Sequence, residues 1–282
     1  MADRTSDSSI LLARPRHAWR LSPPWLGILV AVGLVAVVAA ALAPINGDYY
    51  HVWIHNDPQT NEELYEEVMI DMFMAHTSGF LWGQIIALIL GAFLAAKVRG
   101  MPRALASAVC AGLLLAAVDF AVAWQSSAGI RQQIAWWNEN HPGFLPADPL
   151  SVDGFHHVLA VGLASFPLAA IAGVGLGNLI TPLLRIPAVV VAVLTVLAAV
   201  PYGAFAAVLG WFAAAADGEP VALFVPLALL PPAAVTPSAV RTAIGDHCDA
   251  FTNTMLISGV AWALLLLIAG RLARHRRSRS ER

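Results

Sequence analysis

The sequence predicts an all-α, multi-pass membrane protein with six transmembrane helices, and its composition is the first observation behind that prediction. Of its 282 residues, 59% are hydrophobic and only 12% are charged, and the mean hydropathy is +0.70. Soluble domains carry roughly 25% charged residues, so this chain has too little charge to cover a water-exposed surface. The same composition excludes a disordered chain, which would be rich in charge. The two cysteines are too few for a disulfide scaffold.

The second observation is a series of apolar runs, each long enough for the roughly 20 helical residues that a bilayer core requires. We expect spans over residues 25–44, 78–96, 104–124, 158–180, 187–212 and 251–270. The apolar stretch from Val221 to Val235 is shorter and rich in proline, which favours a re-entrant or broken helix within an outer segment, residues 213–250. The transmembrane domain, residues 25–270, is then flanked by an N-terminal segment, residues 1–24, and a basic tail, residues 271–282.

Charge distribution is the third observation, and it orients the chain. Of the 16 basic residues, all except Arg131 and Arg241 fall in the two terminal segments or in the loops that follow the second and fourth spans. Because basic residues resist translocation, that side is predicted to be cytoplasmic, with both termini inside. Ala41-Leu42-Ala43 at the end of the first span resembles a signal-peptide cleavage site, but the full bilayer length of this run favours a retained span.

The remaining loops are predicted to face outward, over residues 45–77, 125–157 and 213–250. In the first loop, Thr60 and Glu63 form a capping-box pair, and four-residue spacing of acidic and apolar residues predicts an amphipathic helix over 61–76. In the second loop, residues 138–150 are rich in turn-forming residues and are expected to be irregular.

The sequence contains no nucleotide-binding motif. A P-loop needs a lysine in a glycine-rich loop, and the only lysine, Lys97, is followed by Val98-Arg99-Gly100. Gly173, Gly175 and Gly177 do not fit a dinucleotide motif and are interpreted as residues that allow close helix packing. We therefore expect neither an enzyme nor a cofactor-binding protein, and the energy for any transport would come from a partner or an ion gradient.

Asp119 is the one acidic residue inside a predicted span. An ionised carboxylate within a bilayer costs several kcal/mol unless it is paired or reached by water, so Asp119 is a candidate for lining a pathway or relaying protons. Gln84, in the second span, is a possible hydrogen-bond partner. The alternative is that Asp119 is hydrated at the outer interface, since Trp124 follows five residues later.

Most histidines map to the outer side, which raises the alternative of a metal or haem site. His51 and His55 are four residues apart, a spacing that places two imidazoles on one helical face. Histidine also tolerates the membrane interface, so the pattern has a simple alternative explanation. The candidate ligands are His51, His55, His76, His156, His157, His247 and Cys248.

Four stretches of the sequence resemble the permease subunits of type-2 ABC exporters of the actinobacterial kind. The segment LWGQIIALILGAFLAAKVRG is similar to the second span of that family and its basic inner turn. VLAVGLASFPLAAIAGVGLGNLI followed by PAVVVAVLTVLAAV is similar to its fourth and fifth spans. The proline-broken LFVPLALLPPAAVTPSAV resembles its outer re-entrant region, and the six spans with both ends inside match its topology.

The resemblance implies a subunit in a bacterial plasma membrane that exports a hydrophobic or amphipathic molecule with ATP hydrolysed by a separate ATPase. That partner would dock at Lys97, Arg99, Gly100 and Arg103, and the permease would form a homodimer or heterodimer through small residues such as Gly91 and Ala95. Nucleic-acid binding is not expected. Two other functions remain open: a membrane-bound metal, haem or redox protein, and a sensor or immunity protein that does not transport.

Overall fold

A computed structural model describes residues 23–47, 75–140, 155–184 and 248–280. These residues form helices and no strand, and a single helical turn at residues 75–77 precedes α2. We number the helices α1 (Pro24–Gly47), α2 (Phe80–Lys97), α3 (Met101–Ser126), α4 (Ala128–Asn140), α5 (Phe155–Leu184) and α6 (Cys248–Ser280).

Five stretches of these helices are long and apolar enough to cross a membrane, which confirms an all-helical fold of the multi-pass membrane type. They are Pro24–Pro44, Ala75–Lys97, Met101–Ser126, Leu159–Ile180 and Leu256–Arg276. Each coincides with one of the spans expected from the sequence. The expected span at 187–212 and the proline-rich stretch at 221–235 lie outside the described residues.

The first three spans alternate in direction. Gly27, near the start of α1, packs against the ring of Phe93, near the end of α2. At the other end of the bundle, Ala43, Ala75 and Ala123 form a small buried cluster. We call the end that carries Lys97 the basic end and the end that carries this alanine cluster the far end.

Helices α5 and α6 both run parallel to α2, from the far end to the basic end. Gly162 lies against Phe80 at the start of α2, and Gly177 lies against Ala92 near its end. Along α6, Gly259 faces Leu168, and Gly270 faces Gly175 further along α5. Helix α5 therefore ends at the basic end, while α6 begins at the far end.

The core is built where glycines let helix backbones approach. A Cβ at Gly91 would collide with the carbonyl oxygen of Ala170, and one at Gly173 would collide with that of Leu88. Gly175 and Gly177 are in similar backbone contact with α6 and α2. The interpretation of these α5 glycines as packing residues is therefore confirmed.

The same contacts correct the expected dimer face. Gly91 is buried against α5 of its own chain, and Ala95 is only 5% exposed in the same core. Neither residue is therefore available to a second copy. A stripe of small residues indicates that a helix packs closely against another helix, but it does not indicate which one.

The loop expected over 125–157 is partly helical. Helix α4 occupies Ala128–Asn140, so the first three residues of the stretch 138–150 are helical rather than irregular. Asn138 and Asn140 are turn formers by residue type, but here they continue a helix that has already begun. Of the amphipathic helix expected over 61–76, the described part consists of Ala75 and His76, which belong to the turn before α2.

Candidate functional site

A group of buried polar side chains lies between α2 and α3 near the far end. The chain enters α2 through His76, Thr77 and Ser78, which are all 4% exposed or less. The Ser78 hydroxyl donates a hydrogen bond of 3.0 Å to the carbonyl of Ala75, which satisfies it within the turn. Gly79 then caps α2 without a side-chain hydrogen bond, because glycine has no side chain to offer. The helix start is thus polar and buried, in contrast to the apolar helix that follows.

Asp119 of α3 faces this helix start. Its side chain is 1% exposed, and both carboxylate oxygens lack a hydrogen-bond partner among the described residues. The carboxylate lies directly against the backbone of Gly79, where any Cβ would collide with Oδ1. Glycine at this position is what allows the carboxyl group to approach α2. At that point the carboxylate is next to the N-terminus of α2, where the helix dipole favours a negative charge.

The burial of Asp119 decides between the two positions considered for it. A carboxylate hydrated at the interface would show exposed oxygens, whereas this one is enclosed by helices. Asp119 is therefore an interior residue of the bundle.

An aromatic stack joins the turn before α2 to the residues that follow Asp119 on α3. The imidazole of His76 stacks on Phe120 and on Trp124, with ring centroids 5.8 and 5.6 Å away and interplanar angles of 23° and 25°. Phe120 and Trp124 are one turn apart on α3, and their centroids are 6.1 Å apart. His76 is three residues before Gly79, so it lies roughly 4.5 Å nearer the far end than the carboxylate of Asp119 does.

Arg131 of α4 contacts the Trp124 ring of this stack. Its guanidinium lies 4.1 Å from the centroid of the Trp124 ring, a cation–π geometry. The same guanidinium donates to the Trp124 carbonyl and, at 2.9 Å, to the Ser127 hydroxyl. Partial burial lowers the pKa of Arg131 below its usual value, although the group remains a cation at any physiological pH.

Gln84 does not act as the expected partner of Asp119. It is fully buried in α2, but neither oxygen of Asp119 accepts a hydrogen bond. The reason is distance along the helix: Asp119 meets α2 at Gly79, and Gln84 lies five residues further, roughly 7.5 Å along the axis. The sequence places both residues inside spans, but it does not show which residues of α2 and α3 lie at the same level in the bundle.

The basic end carries the residues expected to contact an ATPase. The turn between α2 and α3 is only Val98–Gly100, with Gly100 at a φ of 91°, a conformation that glycine adopts without strain. Arg99 and Arg103 are exposed. Lys97 lies over the ring of Phe93 at 5.7 Å, and Arg274 of α6 reaches the Ala95 carbonyl at 3.5 Å. The structure thus brings basic residues of α2, α3 and α6 to one end.

The candidate metal ligands are not brought together in the parts of the chain that the structure describes, where no group of three or more His, Cys, Asp or Glu side chains lies close enough for a metal. His76 is placed in the aromatic stack instead of in an outer loop. His156 and His157 lie in the first turn of α5, and Cys248 begins α6. His51, His55 and His247 lie outside the described residues.

Two polar residues with contacts in the structure were missed by the sequence interpretation. Arg131 was counted as a loop charge, and Asn178 was noted only for displacing a glycine. Asn178 is 2% exposed and its amide nitrogen lies 3.2 Å from the sulfur of Met101, near the basic end. The sequence does contain a feature that could have indicated the polar group at the far end. His76-Thr77-Ser78-Gly79 is a polar run directly before an apolar helix.

Comparison of the chain with protein-family models, with curated proteins and with solved structures finds no match. The resemblance to exporter permeases therefore rests on the sequence pattern.

Proposed function

We propose that this chain is the membrane-spanning subunit of an exporter for a hydrophobic or amphipathic molecule. The observation that carries the proposal is the burial of Asp119, His76 and Gln84 inside an apolar helical bundle. Polar groups buried at membrane depth are costly, and in membrane proteins they mark pathways for substrates, ions or protons. Removing a buried charge in favour of apolar packing is often neutral or stabilising, so fold stability is a poor reason for keeping Asp119.

The apolar character of the bundle supports the substrate class. Sites that bind drug-sized molecules are mostly apolar and contain a few placed polar groups. The described helices offer long apolar faces and one small polar group near the far end, which suits a molecule with an apolar body and a polar or charged tip. A highly charged metabolite would find few complementary residues there.

In the form that the resemblance implies, energy comes from a separate ATPase at the basic end. The proposed docking surface consists of the exposed Arg99 and Arg103, with Lys97 at the end of α2 and Gly100 just before α3. Basic residues at this end also favour its cytoplasmic placement, where ATP is present.

Co-expression with the products of neighbouring genes tests this docking surface. We expect an ATPase to co-purify with the detergent-extracted chain and to be lost at least tenfold in Arg99→Glu/Arg103→Glu, since two charges at the contact are reversed. Arg276→Glu is the matched control, because Arg276 is exposed on α6 beyond the same end. Failure of the unaltered chain to retain any ATPase would remove the ATP-driven form of the proposal.

Transport itself is tested separately in vesicles that contain the co-purified complex, with a lipophilic cationic dye as the probe. We expect ATP-dependent dye movement, reduced at least tenfold by Asp119→Asn. Dye movement equal to that of protein-free vesicles would contradict the exporter proposal.

A further inference from the structure

We propose that Asp119 is a proton-binding site and that His76 carries protons between Asp119 and the far end of the bundle. The proposal deepens the proposed transport function by naming the ion that the polar group handles. Proton binding can be measured without any transported substrate, so the two proposals can fail independently.

The surroundings of Asp119 call for a small positive ligand. The carboxylate is 1% exposed, and neither oxygen has a hydrogen-bond partner in the described part of the chain. An ionised carboxylate that is buried without partners carries the full cost of lost hydration. The carboxyl group is also held in close contact with Gly79, so a ligand there must be very small. A proton on either oxygen removes the charge and needs no further space.

A metal ion fits this position poorly. Hard cations such as calcium take six to eight oxygen ligands, and Mg²⁺ demands near-octahedral coordination. The Asp119 carboxylate packs against Gly79 at the start of α2, and neither of its oxygens has a hydrogen-bond partner among the described residues. Within the described ranges, Asp119 belongs to no group of three or more His, Cys, Asp or Glu side chains that could hold a metal ion. A carboxyl group outside any such cluster is better suited to a proton.

His76 lies where a proton carrier is needed. It is one turn closer to the far end than Asp119 is, and it is 1% exposed within the stack formed with Phe120 and Trp124. Imidazole is the side chain that gains and loses a proton in the physiological pH range. The rings of Phe120 and Trp124 that pack against His76 cannot carry protons, so the imidazole is the member of this stack that can.

Few other charged groups face this pair. The guanidinium of Arg131 in α4 lies 4.1 Å from the centroid of the Trp124 ring, against which His76 also stacks. Helix α1 carries no titratable residue, and neither does α5 in its described side chains. The charged residues of α2 and α6 whose side chains are described, Lys97, Arg271, Arg274, His275 and Arg276, lie towards the basic end. Among the described side chains, proton exchange at this site is therefore governed by Asp119 and His76, with Arg131 as the one cation nearby.

Infrared spectroscopy of the purified chain in lipid nanodiscs tests the site directly. A protonated carboxyl group gives a carbonyl band that ionised carboxylates lack, and exposed acidic residues are ionised at neutral pH. We expect this band at neutral pH in the unaltered protein and in Glu139→Gln, a control at an exposed carboxylate of α4. We expect its loss in Asp119→Asn. A spectrum without the band, or a band that survives in Asp119→Asn, would overturn the proton site.

The role of His76 is tested by the rate at which the same band shifts on transfer to heavy water. His76→Phe keeps an aromatic ring in the stack but removes both nitrogens, so we expect exchange to slow about tenfold or more. His76→Ala opens the stack and is expected to restore exchange by admitting water. If His76→Phe exchanges at the unaltered rate, the relay is wrong and His76 only fills space.

The outcomes separate the two proposals. Loss of the carbonyl band in Asp119→Asn together with unchanged dye transport would leave the proton site standing and overturn its part in transport. Dye transport in a protein that shows no carbonyl band would leave the exporter standing and overturn the proton site.

Discussion

The pair α2 and α5 differs sharply from α1 and α6, although all four are apolar enough to cross a membrane. Two thirds of the residues in the apolar part of α2 are buried within the chain, and more than half in α5, against 22% in each of α1 and α6. The exposed side chains of the latter are large and apolar, including Leu29, Val37, Leu265 and Ile268. Exposure of this kind faces lipid in a membrane protein. The hydropathy of a helix therefore indicates that it can span a membrane, whereas its buried glycines and aromatic residues are what contact the neighbouring helices.

The largest expected effect is at the aromatic contact of the tightly packed pair. Phe80 and Phe166 meet edge to face with centroids 6.0 Å apart, and both are fully buried. Phe166→Ala is expected to cost about 3–5 kcal/mol of stability, because the cavity it leaves is enclosed by helices. The measurement is the free energy of unfolding in one detergent by denaturant titration.

Leu265→Ala is the matched control on the loosely packed side, since Leu265 is 58% exposed on α6. We expect a change within about 0.5 kcal/mol, because lipid or detergent fills the space. Equal losses for Phe166→Ala and Leu265→Ala would mean that α6 is covered by protein, which would erase the contrast between the two regions.

A smaller difference is expected between two glycines. Gly91→Ala places a methyl group on the backbone of Ala170 and is expected to cost about 1–3 kcal/mol, because a helix backbone has to move. Gly33→Ala on α1 meets nothing within 4 Å and is expected to be neutral or stabilising by up to about 1 kcal/mol through helix propensity. Thermal unfolding followed by light scattering measures both. A stabilising Gly91→Ala would contradict the close α2–α5 approach.

The smallest effect is expected outside the spans, at the contact that joins α4 to α3. Arg131→Gln removes the cation–π contact with Trp124 and the hydrogen bond to Ser127, for an expected loss of about 1 kcal/mol. A change in Trp124 fluorescence should accompany it. Arg131→Lys keeps the charge but lacks the planar fork, so it should recover only part of the loss. Complete recovery would show that charge alone matters there.

The candidate site was predictable in part. Asp119 stood out from the sequence because a lone carboxylate within an apolar run is unusual, and the structure buries it. Its surroundings were not predictable. Gln84 was the obvious partner by residue type, yet the carboxylate meets Gly79, one and a half turns away. His76 was assigned to an outer loop because the polar run before α2 looked like solvent-facing chain, whereas two aromatic residues of α3 enclose it.

The sequence by itself determined the all-helical membrane class, the positions of five described spans and the gathering of basic residues at one end. Each of these depends on local composition. A helix needs about 20 apolar residues to span a bilayer, and basic residues next to such a helix resist translocation. Only the tertiary structure decided that Gly91 faces α5 instead of a second copy, and that Asp119 lies against Gly79. These features depend on which helices pack together and on how they are aligned along the bundle axis. An apolar run of leucine, alanine and glycine is compatible with many such pairings, so the choice is made only when all the helices pack together.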